Sequence, residues 1–211
     1  MPNIRWACSD RHTVSNAMQK LTREDLYSLE QYSDIRDEFR DGVLQHKRNR
    51  RLALGTNAAL YFEDRQTMQY QVQEMLRIER IFEAGGINEE LEVYNALIPD
   101  GANWKATFMI EFSDSDERRE MLQHLVGIED RVYVQIGEFD RIYAIADEDL
   151  ERSDEGKTSA VHFLRFELAC AQVEALKNGA PVTAGIDHSN LQVDVSPVEE
   201  NIRQSLIGDL D

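Results

Sequence analysis

The sequence predicts an α+β fold: an antiparallel-rich sheet with two similar strand–helix–hairpin units, flanked by N- and C-terminal helices. Three observations predict it. Segments with apolar residues every three or four positions alternate with short segments of period two, and neither kind dominates. Gly, Asn, Asp and Ser signals sit between neighbouring period-two segments, close enough for hairpins. Two stretches also share one order. TFMIEF, a helix, RVYVQIG, a turn and RIYAIA match FLRFEL, a helix, PVTAGID, a turn and LQVDVS, with Glu111 opposite Glu167 and Gln135 opposite Gly185. One such unit cannot cover its own sheet, so the two are expected to share a core in a single domain over residues 20–211.

Residues 1–19 lack periodicity and are expected to be a disordered extension, or a start placed too early with Met18 the true one. In 21-LTREDLYSLEQY-32, Thr22 and Asp25 suit a capping box, and Leu21 and Leu26 a hydrophobic staple. A second helix is expected from Ser33, with Ile35, Phe39 and Val43 on its stripe. RRLALGTNAALYFED reads as two strands around Gly-Thr-Asn. The helix 64-DRQTMQYQVQEMLRIERIF-82 follows, with Glu63-Asp64 at its start and Gly85-Gly86 as its stop. Asn88 should cap NEELEVYNAL, which Pro99-Asp100-Gly101 closes. WKATFMIEF is a strand, SDSDERREMLQHL a helix with acids in its first turn, and RVYVQIGEFDRIYAIA a hairpin. DEDLERSDEGKTS is a charged connector, AVHFLRFEL a strand, and ACAQVEALKNG a helix ended by Gly179. PVTAGID and LQVDVS form a hairpin around His188-Ser189-Asn190, and the last helix should take Ser196 as cap and Pro197 as first residue.

Composition excludes some classes. With 23 Lys+Arg against 40 Asp+Glu the net charge is −17, which repels nucleic acid and anionic membranes. No apolar run approaches a membrane span and no secretory signal is visible, so a cytoplasmic protein is expected. Cys8 and Cys170 are too few for a disulfide framework or a thiolate metal site, and Cys170 reads as a small core residue. The basic run 46-HKRNRR-51 suits a helix end followed by a strand start, with a phosphate or acidic partner as the functional alternative.

Several polar residues break the pattern. On a helical wheel Glu79 falls among Met68, Val72, Met75 and Phe82, while Gln66, Gln69, Gln73, Arg77 and Arg80 take the other side. None of its neighbours at helical spacing is basic. Glu79 therefore pairs with a distant arginine such as Arg131 or Arg165, is solvated at a frayed end, or faces a ligand or metal. Alternation along 161-VHFLRFEL-168 puts His162 on an apolar face and points Arg165 and Glu167 the same way. Asp187-His188 suits a hairpin turn, or supplies a metal ligand or general base. The candidate ligand-binding set is Glu79, Arg77, His162, Arg165, Glu167 and His188. No phosphate loop, HxxxH pair or nucleophile elbow occurs, so no catalytic residue, metal site or cofactor is assigned.

The segments KLTREDLYSLEQY, FEDRQTMQYQVQEMLRIERI, LIPDGANWKATFMIEF, GIEDRVYVQ, IADEDLER and KTSAVHFLRFEL together resemble a bacterial family known as domain of unknown function 3501. The resemblance runs from residue 20 onward and assigns no catalytic residue. Genes of that family tend to lie beside those of rubrerythrin-like and iron–sulfur oxidoreductases. The resemblance thus implies an accessory or interaction protein in redox or oxidative-stress metabolism, with such a protein as partner. The alternative is a small-ligand or metal-dependent enzyme built on the Glu/Arg/His set above.

Overall fold

The computed structural model describes residues 19–150, 152–153 and 156–211. The extension expected over residues 1–19 lies, apart from Gln19, outside the described residues. Helix α1 (Leu29–Lys47) leads into strands β1 (Arg51–Ala53) and β2 (Ala58–Glu63), then helices α2 (Arg65–Glu79) and α3 (Ala84–Asn95). The first strand–helix–hairpin unit is β3 (Asn103–Ile110), α4 (Ser115–His124), β4 (Val132–Ile136) and β5 (Ile142–Tyr143). After β6 (Ile145–Ala146) comes the second, β7 (Val161–Glu167), α5 (Cys170–Lys177), β8 (Val182–His188) and β9 (Leu191–Val195), and α6 (Glu200–Ile207) ends the chain.

The strands divide between two sheets, of order β1-β2-β3-β7-β6 and β5-β4-β8-β9. All named neighbours are antiparallel. Each unit gives its first strand to one sheet and its hairpin to the other. The segment after the β4 turn joins the sheets. Ile142 and Tyr143 pair with β4, the Ala144 amide still donates to the Val132 carbonyl at 2.9 Å, and Ile145 then pairs with Arg165 of β7. The strand pairing expected after Asp140 thus begins in one sheet and ends in the other.

The inner faces of both sheets make the main core. Phe62, Trp104, Phe108 and Phe166 from the larger sheet join Val132, Val134, Val182 and Ile186 from the smaller one. Helix α6 closes this core with Ile202 and Leu206, and the Leu206 carbonyl accepts the Trp104 indole N–H at 2.9 Å. That bond lets the whole indole be buried, which by area contributes on the order of 4–6 kcal/mol. Tyr133 of β4, itself buried, lies across Gly185 of β8, with which it pairs. A Cβ built on Gly185 would sit 2.5 Å from the Tyr133 hydroxyl oxygen, so a side chain there would displace the ring. A second apolar cluster, Leu21, Met68, Val72, Leu76, Leu91 and Ile98, holds α2 and α3 together.

Several boundaries differ from expectation, each for a local reason. Ser28 caps α1 and bonds reciprocally with Gln31, so one helix runs through Ser33 where two were expected. Thr22 and Asp25 form their capping box on a single 3-10 turn, Arg23–Asp25. Helix α2 begins at the Asp64 cap as expected but stops at Glu79, because Arg80 is left-handed at φ 56°. Gly85 and Gly86 consequently lie in the first turn of α3, which starts before Asn88. Helix α6 starts after Glu199, because the Val198 amide still bonds the Val182 carbonyl of β8 at 2.7 Å. Cys170 is exposed at the start of α5 and not a core residue.

Candidate functional site

The groove that stands out geometrically is built where α2 gives way to α3. The left-handed Arg80 turns the chain, and Ile81 then folds back onto the first turn of α3. A Cβ on Gly86 would lie 2.8 Å from the Ile81 side chain, so glycine permits this approach. With Ile81 turned in, Phe82 points out and is 73% exposed. The opposite wall is the segment 23–29, and the cleft between is about 320 Å³, lined by Leu26, Tyr27, Leu29, Leu76, Ile81, Phe82 and Ile87 together with Arg23 and Ser28.

Side-chain amides fix that opposite wall. Gln73 is fully buried; its Oε1 accepts the Tyr27 amide at 2.6 Å and its Nε2 donates to the Tyr27 carbonyl. Asn95 does the same to Leu21, at 2.7 and 2.9 Å. Gln69 donates to the Asp25 carbonyl at 2.6 Å. On the helical wheel Gln69 and Gln73 take the polar side of α2. They do lie there, but residues 21–27 cover that side, and the glutamines satisfy a main chain that would otherwise be buried without partners.

Glu79 is exposed at the last position of α2, so of its readings the solvated helix end is what the structure shows and the buried pair with a distant arginine is corrected. The wheel continued a stripe that the helix does not: α2 ends at Glu79, and Phe82 belongs to the turn. On α2 the carboxylate that meets an arginine from another element is Glu74. It accepts from Tyr32 Oη at 2.7 Å, from Arg36 Nε and Nη2 at 2.8 and 2.9 Å, and from Arg77 Nη2 at 3.0 Å. The bonds from Arg36, ahead of those from Arg77 and Tyr32, hold the Glu74 carboxyl down at about 2. Burial, then the bond to Glu74, pushes the Tyr32 phenol up. This cluster clamps α1 to α2 behind the groove.

The other predicted site residues do not converge with these or with each other. Arg77 is half-exposed and serves Glu74. His162 is fully buried on the inner face of β7, with Nδ1 at 2.6 Å from Asp147 Oδ2 and Nε2 at 2.9 Å from Thr158 Oγ1. Thr158 and Ser153 also bond Glu129, so this array anchors the connector after β6. Arg165 grips Glu148 through two bonds of 2.8 Å and reaches Glu167, all on the outer face of β7. Neither Arg165 nor Arg131 meets Glu79. His188 accepts the Asn190 amide at Nδ1, which leaves Nε2–H to donate to the Val126 carbonyl at 3.2 Å. Both ring nitrogens are engaged, and the ring floors an open polar cleft of about 550 Å³ with Asp130, Arg131, Asp187 and Gln192 on its rim. No group of three or more His, Cys, Asp or Glu side chains among the described residues is arranged to hold a metal ion.

Sequence reasoning missed a buried ionic cluster. Arg50, the fifth residue of the basic run, is 2% exposed. It bonds Asp209 at 2.5 Å and lies 3.3 Å from Asp64, which also meets His46 at 2.5 Å. The cluster ties the C-terminus to the start of α2. Burial pushes the Asp209 carboxyl up to about 6, against the pull of Arg50. Spacing could not reveal it, since Arg50 and Asp209 are joined only by the fold.

Fold and site together define an α+β protein of two antiparallel sheets and a helical layer with an exposed apolar groove. Residues 20–210 match a family described as protein of unknown function, DUF3501, and the chain belongs to that family. It is similar to a crystal structure described as a novel protein of unknown function from Burkholderia pseudomallei K96243, with 47% identity and a TM-score of 0.87. That match covers 92% of this chain and 100% of the other. Comparison with curated proteins gives no match.

Proposed function

We propose that the protein is an accessory interaction protein that docks a redox partner, of rubrerythrin-like or iron–sulfur type, through the groove beside Phe82. The observation that carries this is the 73% exposure of Phe82 at the mouth of an apolar cleft. Ile78, at the end of α2, is 57% exposed as well. A cleft walled by leucine, isoleucine and aromatic side chains next to a solvent-facing phenylalanine is the composition of a docking patch. Its walls are pinned by the Gln73, Asn95 and Glu74 bonds, so little order has to be created on binding. The redox setting rests on the family resemblance alone.

Calorimetric titrations of the chain with a purified rubrerythrin-like protein and with a purified iron–sulfur oxidoreductase, both from the family's gene neighbourhood, test the proposal. Saturable binding is expected, weakened about 30-fold or more by Phe82→Asp, the scale of a hot-spot residue. Equal binding by wild type and variant, or none by either, would contradict it.

A further inference from the structure

We infer that the groove takes a short amphipathic helix of the partner, with an apolar stripe for the cleft and lysine or arginine on its flanks. This rests on the docking reading and adds the chemistry of the occupant.

The first argument is main-chain satisfaction. A bound extended strand draws much of its affinity from main-chain hydrogen bonds to an unpaired edge. This groove offers no such edge. Its walls are α2, α3 and the segment 21–29, and much of that segment's main chain is already bonded: Leu21 and Tyr27 on both N–H and C=O by Asn95 and Gln73, the Thr22 amide by Asp25, the Asp25 carbonyl by Gln69 and the Ser28 amide by Gln31. The outer strands of the two sheets, β1, β6, β5 and β9, contribute no residue to the cleft. What remains for a partner is side-chain contact. A helix satisfies its own main chain and presents only side chains, so it is the element that binds here without leaving polar groups unpaired.

The second argument is charge. Glu79, Glu83 and Glu89 are exposed around the α2–α3 junction and Glu24 and Glu30 beside the other wall, five acids against three bases, Arg23 in the lining and Arg77 and Arg80 at the end of α2, of which Arg77 serves Glu74. Burial, then the nearby charges of Glu79 and Glu89, push the Glu90 carboxyl up, so these carboxylates crowd one another. The whole chain carries −17. A cationic flank on the incoming helix relieves that repulsion, while an acidic one adds to it.

Three peptides of about 15 residues, long enough to hold a helix, test this on the full chain. One has leucines at helical spacing with lysine elsewhere, one is its scrambled form, and one replaces lysine with glutamate. Amide chemical shifts and fluorescence anisotropy are the readouts. The basic amphipathic peptide is expected to shift residues 23–29 and 81–87. It should bind about tenfold or more tightly than the scrambled one and lose that advantage in Phe82→Asp. Equal binding of scrambled and amphipathic peptides overturns the inference, since charge alone would then account for it. If the glutamate peptide shifts the groove residues instead, docking stands and the assigned chemistry falls. If no peptide shifts them while the redox partner binds, the inference falls and docking stands; if the partner also fails to bind, both readings fall.

Discussion

Replacing Glu74 by glutamine removes one charge with almost no change of shape, and the structure sets the size of the effect. The side chain is 12% exposed and accepts four bonds from three donors. Glutamine keeps one acceptor oxygen, and turns an N–H₂ donor toward the Arg36 and Arg77 nitrogens that now face the other oxygen. The carboxyl sits at about 2 instead of its ordinary 4.5, which is worth about 3 kcal/mol at neutral pH. Breaking a fully buried ion pair costs about 3–5 kcal/mol, but Arg36 is 30% exposed and keeps part of its hydration. We expect a loss of about 2–3 kcal/mol, or roughly 5–10 °C in Tm for a chain of this length. The sign with pH follows from the lowered value. The contribution is complete above about 4.5 and disappears as pH falls from there toward 2, so wild type and Glu74→Gln should converge in acid. Urea melts at pH 7 and at steps down to pH 3 provide the measurement, with Glu79→Gln as control, expected to change stability by less than about 0.5 kcal/mol. A Glu74→Gln loss as small as the control's, or one independent of pH, would refute the clamp.

Asp209→Asn should behave in the opposite sense. Because burial raises the Asp209 carboxyl to about 6, folding favours its protonated form, and wild type loses stability relative to the variant as pH rises from about 4 through 6. The shift is on the order of 2–3 kcal/mol, readable in parallel urea melts, and a flat difference across that window would count against it. Gly185→Ala should destabilise by about 2 kcal/mol or more, because the new methyl group meets the Tyr133 ring and the β9 backbone. Thermal denaturation checks it, and the double variant Tyr133→Ala with Gly185→Ala should lose less than the sum of the two single changes.

Elements with a strong period were legible before any coordinates: the β1–β2 hairpin, both strand–helix–hairpin units, the Asp64 cap. Ends were less so. Nothing in 76-LRIERIF-82 announces that Arg80 takes a left-handed conformation, and the wheel that placed Glu79 inside assumed a helix that had already stopped. The main-chain bonds made by the Gln73 and Asn95 amides were illegible for a different reason. A glutamine on the polar face of a helix looks solvated unless one knows that a segment some forty residues earlier lies across it. His162 could be read as a satisfied core histidine, but its partner Asp147 could not, since the two meet only when β6 pairs with β7. The groove had no local signal, because it depends on Ile81 turning in and Phe82 turning out over adjacent positions.

If the protein works by docking, the surface at Phe82 receives another protein inside the cell. A photo-crosslinking amino acid placed at position 82 of the full chain, and for comparison at Arg119, which is 71% exposed on α4, tests it most directly in living cells. One discrete adduct is expected from position 82 and none from position 119, and the cross-linked segment should be a basic amphipathic helix of an oxidoreductase. No adduct at 82, or the same scatter of adducts from both positions, would contradict it.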